Sequence, residues 1–156
     1  LSKPTPRIAI EQGLAAWEVV GVLEALPDWF GRPEAITVYA GEARGLVAVT
    51  ARLGTKLIGL LTLKPSSPVA TEIAVMGLLP EYRRQGLGRQ MVDHAVDYLR
   101  SQAIELVWVQ TLAPSFEYAA YAETRAFYAA TGFHPLVELP GHFGEGEAAL
   151  FLVRPL

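Results

Sequence analysis

The chain has 156 residues, of which 51% are hydrophobic and 19% charged, enough apolar material for the core of one ordinary globular domain. Its formal net charge of −3 argues against a broad basic face that would hold nucleic acid by counterion release, although a local basic loop stays compatible with it. Cysteine is absent, which excludes disulfides and thiolate metal sites, and His94, His134 and His142 lie too far apart in sequence to read as a metal motif.

No apolar run reaches the ~18 residues of a membrane span, and the first ten residues, LSKPTPRIAI, lack the apolar stretch of a signal peptide. The expectation is a cytoplasmic protein whose partner is a small molecule or peptide, with neither nucleic acid nor membrane as a ligand. A short strand over RIAIE comes first. From Gly13 to Leu26, residues Leu14, Trp17, Val20, Val22 and Leu26 recur at roughly helical spacing, and Pro27-Asp28 ends the run. Pro33 to Arg44 is ambiguous, because ITVY suits a strand while Pro33-Glu34 suits a helix N-terminus; Ile36, Tyr39 and Ala43 on one face favour the helix.

GLVAVTARLGTKLIGLLTLKP reads as two strands of a hairpin turning at Leu53-Gly54-Thr55. Val69 to Leu79 is apolar apart from Glu72 and ends at Pro80, the pattern of a strand buried on both faces. From Gly86 the period changes, with Leu87, Met91, Ala95 and Leu99 four apart, which predicts a helix of about four turns. IELVWVQTL returns to strand, YAETRAFYAAT to helix, and two strands follow over 133–139 and 147–153.

Between the apolar strand and the helix lies PEYRRQGLGRQMV, Pro80 to Val92. A helix start leaves its first backbone N–H groups without intrahelical partners at the positive end of the dipole. Gly86 and Gly88 leave those donors open, and Arg83, Arg84 and Arg89 add positive charge, so the turn suits a phosphate. The alternative is a tight helix entry with solvated arginines. A P-loop would need G-x-x-x-x-G-K followed by Ser or Thr, which is absent, and a dinucleotide fingerprint would need glycine where Met91 stands. The strand VWVQTLAP also ends without the acid that such a fold places on a ribose.

Arg83-x-x-Gly86-x-Gly88, after a strand ending in Leu78-Leu79-Pro80, resembles the acyl-coenzyme A motif of the GNAT superfamily of N-acetyltransferases, Arg/Gln-x-x-Gly-x-Gly/Ala. ETRAFYAATGFHPL, Glu123 to Leu136, is similar to that superfamily's second signature, a tyrosine-bearing helix running into a Gly-Phe turn. The resemblance implies a mixed α/β fold of a single domain, 1–156, with a largely antiparallel central sheet of about six to seven strands and about four helices. It implies acetyl-coenzyme A as acyl donor, with no metal. The backbone of Arg84, Gln85, Gly86, Leu87, Gly88 and Arg89 would cradle the pyrophosphate beside Arg83. Met76, Gly77 and Leu78 would offer a strand edge to the pantetheine amides, with Gly77 admitting a close approach. Tyr121 stands where many members carry an asparagine that contacts the pantetheine arm, so that contact is not carried over. Monomer and homodimer both stay open.

An amine attacks a thioester as the free base, and an amine of pKa about 10.4 is neutral in roughly one molecule in 2,500 at pH 7, a handicap of about 4.6 kcal/mol. Glu72, the one acid in the central strand, is the candidate general base, directly or through water; the alternative is a solvated or structural acid. The resemblance implies Tyr128 as hydrogen-bond donor to the departing sulfur, where the alternative is core packing beside Phe127. A backbone N–H of the central strand, that of Met76, would stabilise the developing oxyanion. The segments LPDWFGRPEA and PSFEYAAYAE lie where the superfamily builds its acceptor pocket, and Asp28, Glu34, Glu117 and Glu123 could attract a cationic amine. The expected function is acetyl transfer to a primary amine in a ternary complex; the alternative is an acyl-coenzyme A sensor without turnover.

Overall fold

The computed structural model describes residues 3–156. In chain order the elements are β1 (Arg7–Gln12), α1 (Ala16–Glu24), α2 (Pro33–Ala43), β2 (Val47–Leu53), β3 (Lys56–Pro65), β4 (Ala70–Leu78), α3 (Leu87–Ser101), β5 (Leu106–Leu112), α4 (Ala119–Ala130), β6 (His134–Leu139) and β7 (Ala149–Pro155), with a 3-10 turn over Pro80–Tyr82. The strands form one seven-stranded sheet in the order β1-β2-β3-β4-β5-β7-β6. Every neighbouring pair is antiparallel except β4 and β5, which run parallel and are joined by the crossover helix α3. Among the described residues, no helix is long and apolar enough to cross a membrane.

Local chemistry explains the ambiguous segments. Arg32 precedes α2 in extended conformation and Pro33 takes its first position, where the missing N–H costs nothing. Ile36, Ala40 and Ala43 then bury one helical stripe, so the period of the apolar residues prevails over the strand preference of ITVY. In α1 the buried stripe is Val19, Val22 and Leu23, and Trp17, expected on that face, is 77% exposed in the first turn. Arg52 of β2 binds Glu11 at 2.8 Å and Glu18 at 2.6 Å, which ties α1 to the sheet. Helix α3 buries the expected Leu87, Met91, Ala95 and Leu99, with Val92 and Val96 beside them, and packs across β1, β2 and β3.

Strand β4 departs from the expectation of burial on both faces. Thr71, Ile73, Val75 and Gly77 are buried, while Glu72, Ala74, Met76 and Leu78 are only partly covered. The cause is a split in the sheet. β4 and β5 pair at only three positions, Ala70↔Leu106, Thr71↔Val107 and Glu72↔Trp108, yet the strands continue to Leu78 and Leu112. Beyond Glu72 they separate, and a wedge opens in the middle of the sheet.

The wedge leaves backbone donors without a ladder partner. Val75 N–H donates toward β3, to Thr62 Oγ1 at 3.2 Å, beside a bulge in β4 where Ala74 stands unpaired between Ile73 and Val75. Successive residues of a regular strand point their N–H groups to opposite edges; Val75 and Leu79 donate toward β3, so the N–H groups of Met76 and Leu78 face the wedge. Backbone donors in such a place require a partner from outside the sheet.

Candidate active site

A cleft of about 1210 Å³ runs along the wedge, between the α1–α2 loop, α2, the separating ends of β4 and β5, the start of α3, α4 and the β6–β7 loop. That exceeds the roughly 300–1,000 Å³ typical of a site for one small ligand, so it has room for two.

One end is positive. Gly86 is the residue preceding α3, with φ +81°, and no side chain caps the helix. The first helical bond is Gln90 N–H to Gly86 O at 3.1 Å, which leaves the N–H groups of Leu87, Gly88 and Arg89 without intrahelical acceptors. A Cβ at Gly86 would meet nothing nearer than Gln90 Nε2 at 3.9 Å, so the space above the amides is open, as an anion cradle requires.

The basic residues divide into two kinds. The Arg83 guanidinium lies 4.3 Å from the Trp29 ring centroid, and its Nε donates to Leu78 O at 3.4 Å. Arg89 donates to Ala130 O at 2.9 Å, linking α3 to α4. Arg84, exposed and with φ 60°, has no hydrogen bond or ion pair among the described residues. It is the one arginine of the loop whose charge is uncommitted. Gln85 donates to Glu81 O at 3.2 Å and does not line the cleft. Leu87 directs its side chain into the core, so only its amide is available.

Two glycines answer to packing instead. A Cβ at Gly77 would come within 2.8 Å of Leu26 Cδ1 and 3.5 Å of Leu23 Cδ2. Its bare side therefore faces α1, which corrects the expectation that it admits a close-lying cofactor; Gly77 lines the cleft through its backbone alone. At Gly88 a Cβ would lie 3.0 Å from Phe127 Cε1, so this glycine sets how closely α3 approaches α4.

Midway along the cleft, Tyr128 and Met76 face each other. The Tyr128 ring packs edge-on against Phe127 and Phe133, with centroids 5.4 Å and 5.2 Å away. Among the described residues its hydroxyl meets only Met76 Sδ, at 3.9 Å, a weak acceptor. Burial pushes its pKa well above the ordinary phenol value. A proton transfer from phenol to thiolate, already uphill by about 2 kcal/mol from reference values, becomes steeper, and hydrogen-bond donation is the chemistry this group can perform.

The other end is acidic and aromatic. Glu72 Oε2 accepts a hydrogen bond from Gln110 Nε2 at 2.8 Å, and its second oxygen has no partner among the described residues. Tyr39 of α2 stands nearby, its pKa raised by burial and by the charges of Glu72 and Glu42. Trp29, whose ring carries Arg83 on the positive side, donates from Nε1 to Thr124 Oγ1 at 2.9 Å and to Ala120 O at 3.2 Å, and Tyr121 Oη donates to Trp29 O at 3.1 Å. Tyr121 thus latches the α1–α2 loop onto α4. Arg32 and Glu147, 3.6 Å apart, join that loop to the β6–β7 loop.

Of the four acids named from the sequence, Asp28 and Glu123 line the cleft, whereas Glu34 and Glu117 do not. Glu42, Glu147, Tyr39 and Gln110 line it and were missed. Gln110 carried a weak signal, as an amide between apolar residues of a strand. His94 is exposed and bonds to Gln90 O, and His134 is exposed on β6. His142 reaches Gln110 at 2.8 Å. Trp108 donates to Ser66 Oγ and stacks on Phe151, outside the cleft.

Comparison with known proteins gives concordant results. Residues 12–133 match the acetyltransferase (GNAT) family. The ribosomal protein bS18-alanine N-acetyltransferase of Escherichia coli strain K12 is 35% identical over 52 residues, which cover 33% of this chain and 35% of that protein. The chain therefore aligns with about a third of the length of that curated relative. The crystal structure of the Escherichia coli ribosomal-protein-S18-alanine N-acetyltransferase superposes with a TM-score of 0.73 at 17% identity, covering 96% of this chain and 94% of that one. An aminoglycoside 6'-N-acetyltransferase complexed with coenzyme A gives a TM-score of 0.76 at 13% identity, over 94% and 96% of the two chains. A GNAT-family protein from Desulfovibrio desulfuricans gives 0.80 at 21% identity, over 96% and 99%. At these identities the superpositions establish the fold.

Proposed function

The chain belongs to the acetyltransferase (GNAT) family, and from that membership we propose that it transfers the acetyl group of acetyl-coenzyme A to a primary amine of a small molecule or peptide, by direct attack in a ternary complex. The observation that carries the reading is the polarity of the cleft. An uncapped helix start beside Arg84 stands at one end, an oxygen of Glu72 without a partner among the described residues at the other, and the Tyr128 hydroxyl between them. Acetyl-coenzyme A, as substrate, supplies an acyl group activated as a thioester.

The chain's own groups then have these tasks. The amides from Arg84 to Arg89 and the Arg84 guanidinium bind the pyrophosphate. The wedge edge of Met76 and Leu78 aligns the pantetheine arm as an added strand would. Glu72 takes a proton from the acceptor ammonium, directly or through water, so that the free amine attacks the thioester carbonyl. Met76 N–H donates to the carbonyl oxygen as it becomes an oxyanion. Tyr128 donates a hydrogen bond to sulfur as the carbon–sulfur bond breaks. The absence of cysteine removes the usual carrier of an acyl-enzyme and favours the direct route.

The cradle gives a binding prediction. Valine at position 86 would strain a left-handed backbone by about 1–2 kcal/mol, so Gly86→Val is expected to lose thermal stability together with coenzyme A affinity. Asparagine tolerates that region. Gly86→Asn is expected to melt near the parental temperature and still bind coenzyme A roughly ten-fold more weakly by calorimetry, a loss of about 1.4 kcal/mol. Unchanged affinity in the folded Asn variant removes the cradle from the account.

The function itself is tested with acetyl-coenzyme A and a panel of amines and N-terminally free peptides, read by free thiol release. Release that depends on an amine, and on its concentration, is expected. Coenzyme A binding without release on any amine would make the protein a sensor.

A further inference from the structure

The carboxylate of Glu72 is the end of a three-residue chain. Its Oε2 accepts from Gln110 Nε2 at 2.8 Å, and Gln110 Oε1 lies 2.8 Å from His142 Nε2. The residues come from β4, β5 and the β6–β7 loop. Gln110 lies two residues beyond Trp108, the last β5 partner of β4, so it bridges the mouth of the wedge by side chain where main-chain pairing has ended. The histidine ring is packed edge-on against Phe143 and Phe151, at 5.0 Å and 5.4 Å between centroids, and Phe151 stacks on Trp108 at 5.3 Å. The chain is therefore anchored between Phe143, which lines the cleft, and the Phe151–Trp108 stack, which does not.

The direction of each bond follows from the donor inventory. An amide has an oxygen that only accepts and a nitrogen that only donates. Turned the wrong way, Gln110 would set its oxygen against the Glu72 carboxylate. A donor N–H at His142 Nε2 requires the amide oxygen on its own side, which leaves the amide nitrogen for Glu72.

We propose that Gln110 and His142 are positioning residues for the base: His142 orients the Gln110 amide, and Gln110 holds one oxygen of Glu72 so that the other is presented to the acceptor amine or to a bridging water. This rests on reading Glu72 as the general base. A carboxylate held in one rotamer meets the amine in reactive geometry more often than a mobile one does.

The test is a double-mutant cycle on the amine from the panel that the parent acetylates, with acetyl-coenzyme A as donor. Gln110→Met keeps the length of the side chain and removes its amide; His142→Phe keeps the ring and removes its nitrogens. Gln110→Met is expected to lower kcat about ten-fold, the scale of a hydrogen bond to a charged group, with coenzyme A affinity and acceptor KM within about two-fold of the parent. His142→Phe is expected to lower kcat by a smaller factor. In a Glu72→Gln background neither change should lower kcat further. Should Gln110→Met not fold, Gln110→Glu replaces the donor by an isosteric acceptor and is expected to lose at least as much activity. Parental kcat in a folded Gln110 variant, or an undiminished loss in the Glu72→Gln background, overturns the proposal. If Glu72→Gln alone turns over at the parental rate, the base assignment fails and this proposal with it, which is distinct from a slow Glu72→Gln beside a fast Gln110→Met.

Discussion

Glu72→Gln is expected to lower kcat by about a hundred- to ten-thousand-fold near neutral pH, the range a positioned base supplies, and to regain part of the loss as pH rises. The amide is isosteric, and its carbonyl oxygen can still accept from Gln110, which donates to Glu72 at 2.8 Å in the parent. The fold and the cleft should therefore survive. What disappears is the acceptor for the proton of the incoming ammonium, whose removal costs about 4.6 kcal/mol at pH 7 from reference values. Solvent takes over that task as the free amine becomes abundant, so the ratio of parental to variant kcat should shrink steadily toward alkaline pH. A loss independent of pH would assign Glu72 to positioning, and no loss would move the base elsewhere.

Tyr128→Phe is expected to lower kcat by roughly ten- to a hundred-fold, the scale of one hydrogen bond to a charged group, with coenzyme A affinity little changed. The ring contacts with Phe127 and Phe133 are retained. Among the described residues the deleted hydroxyl meets only the Met76 sulfur, so thermal stability should hold or rise slightly. Because burial raises the phenol's pKa, Tyr128 stays protonated through and beyond the ordinary phenol range. The parental protein should show no alkaline loss of kcat from this group below about pH 10. Parental turnover in the Phe variant would reduce Tyr128 to packing.

Features carried by local sequence were legible without the structure. The loop was, because Arg83, Gly86 and Gly88 fall within six residues of the start of a strongly periodic helix, and Gly86 indeed takes the left-handed conformation that precedes α3. Helix α2 was legible from Pro33 and the spacing of Ile36 and Ala43. Features set by distant packing were not. Gly77 and Gly88 have cofactor-like positions in the motif, but their bare sides face Leu26 and Phe127, across contacts that spacing does not encode. The half-open face of β4 follows from where β5 leaves it, and an apolar run gives no sign of that departure. Gln110 joins Glu72 across 38 positions and His142 joins Gln110 across 32, through a register that only the folded sheet defines. Trp17 was misplaced because α1 is apolar on most sides, so a stripe one residue out of phase fits nearly as well.

The most direct test of the central claim follows the acetyl group itself. Labelled acetyl-coenzyme A is mixed with the purified chain and an amine that stimulates thiol release, and both the amine product and the protein are weighed by mass spectrometry. Direct transfer in the cleft predicts one labelled acetyl group on the amine for each thiol released, with none on the protein when the amine is left out. Thiol release with the label in free acetate, or an acetylated protein that forms without the amine and then passes its label on, would contradict it.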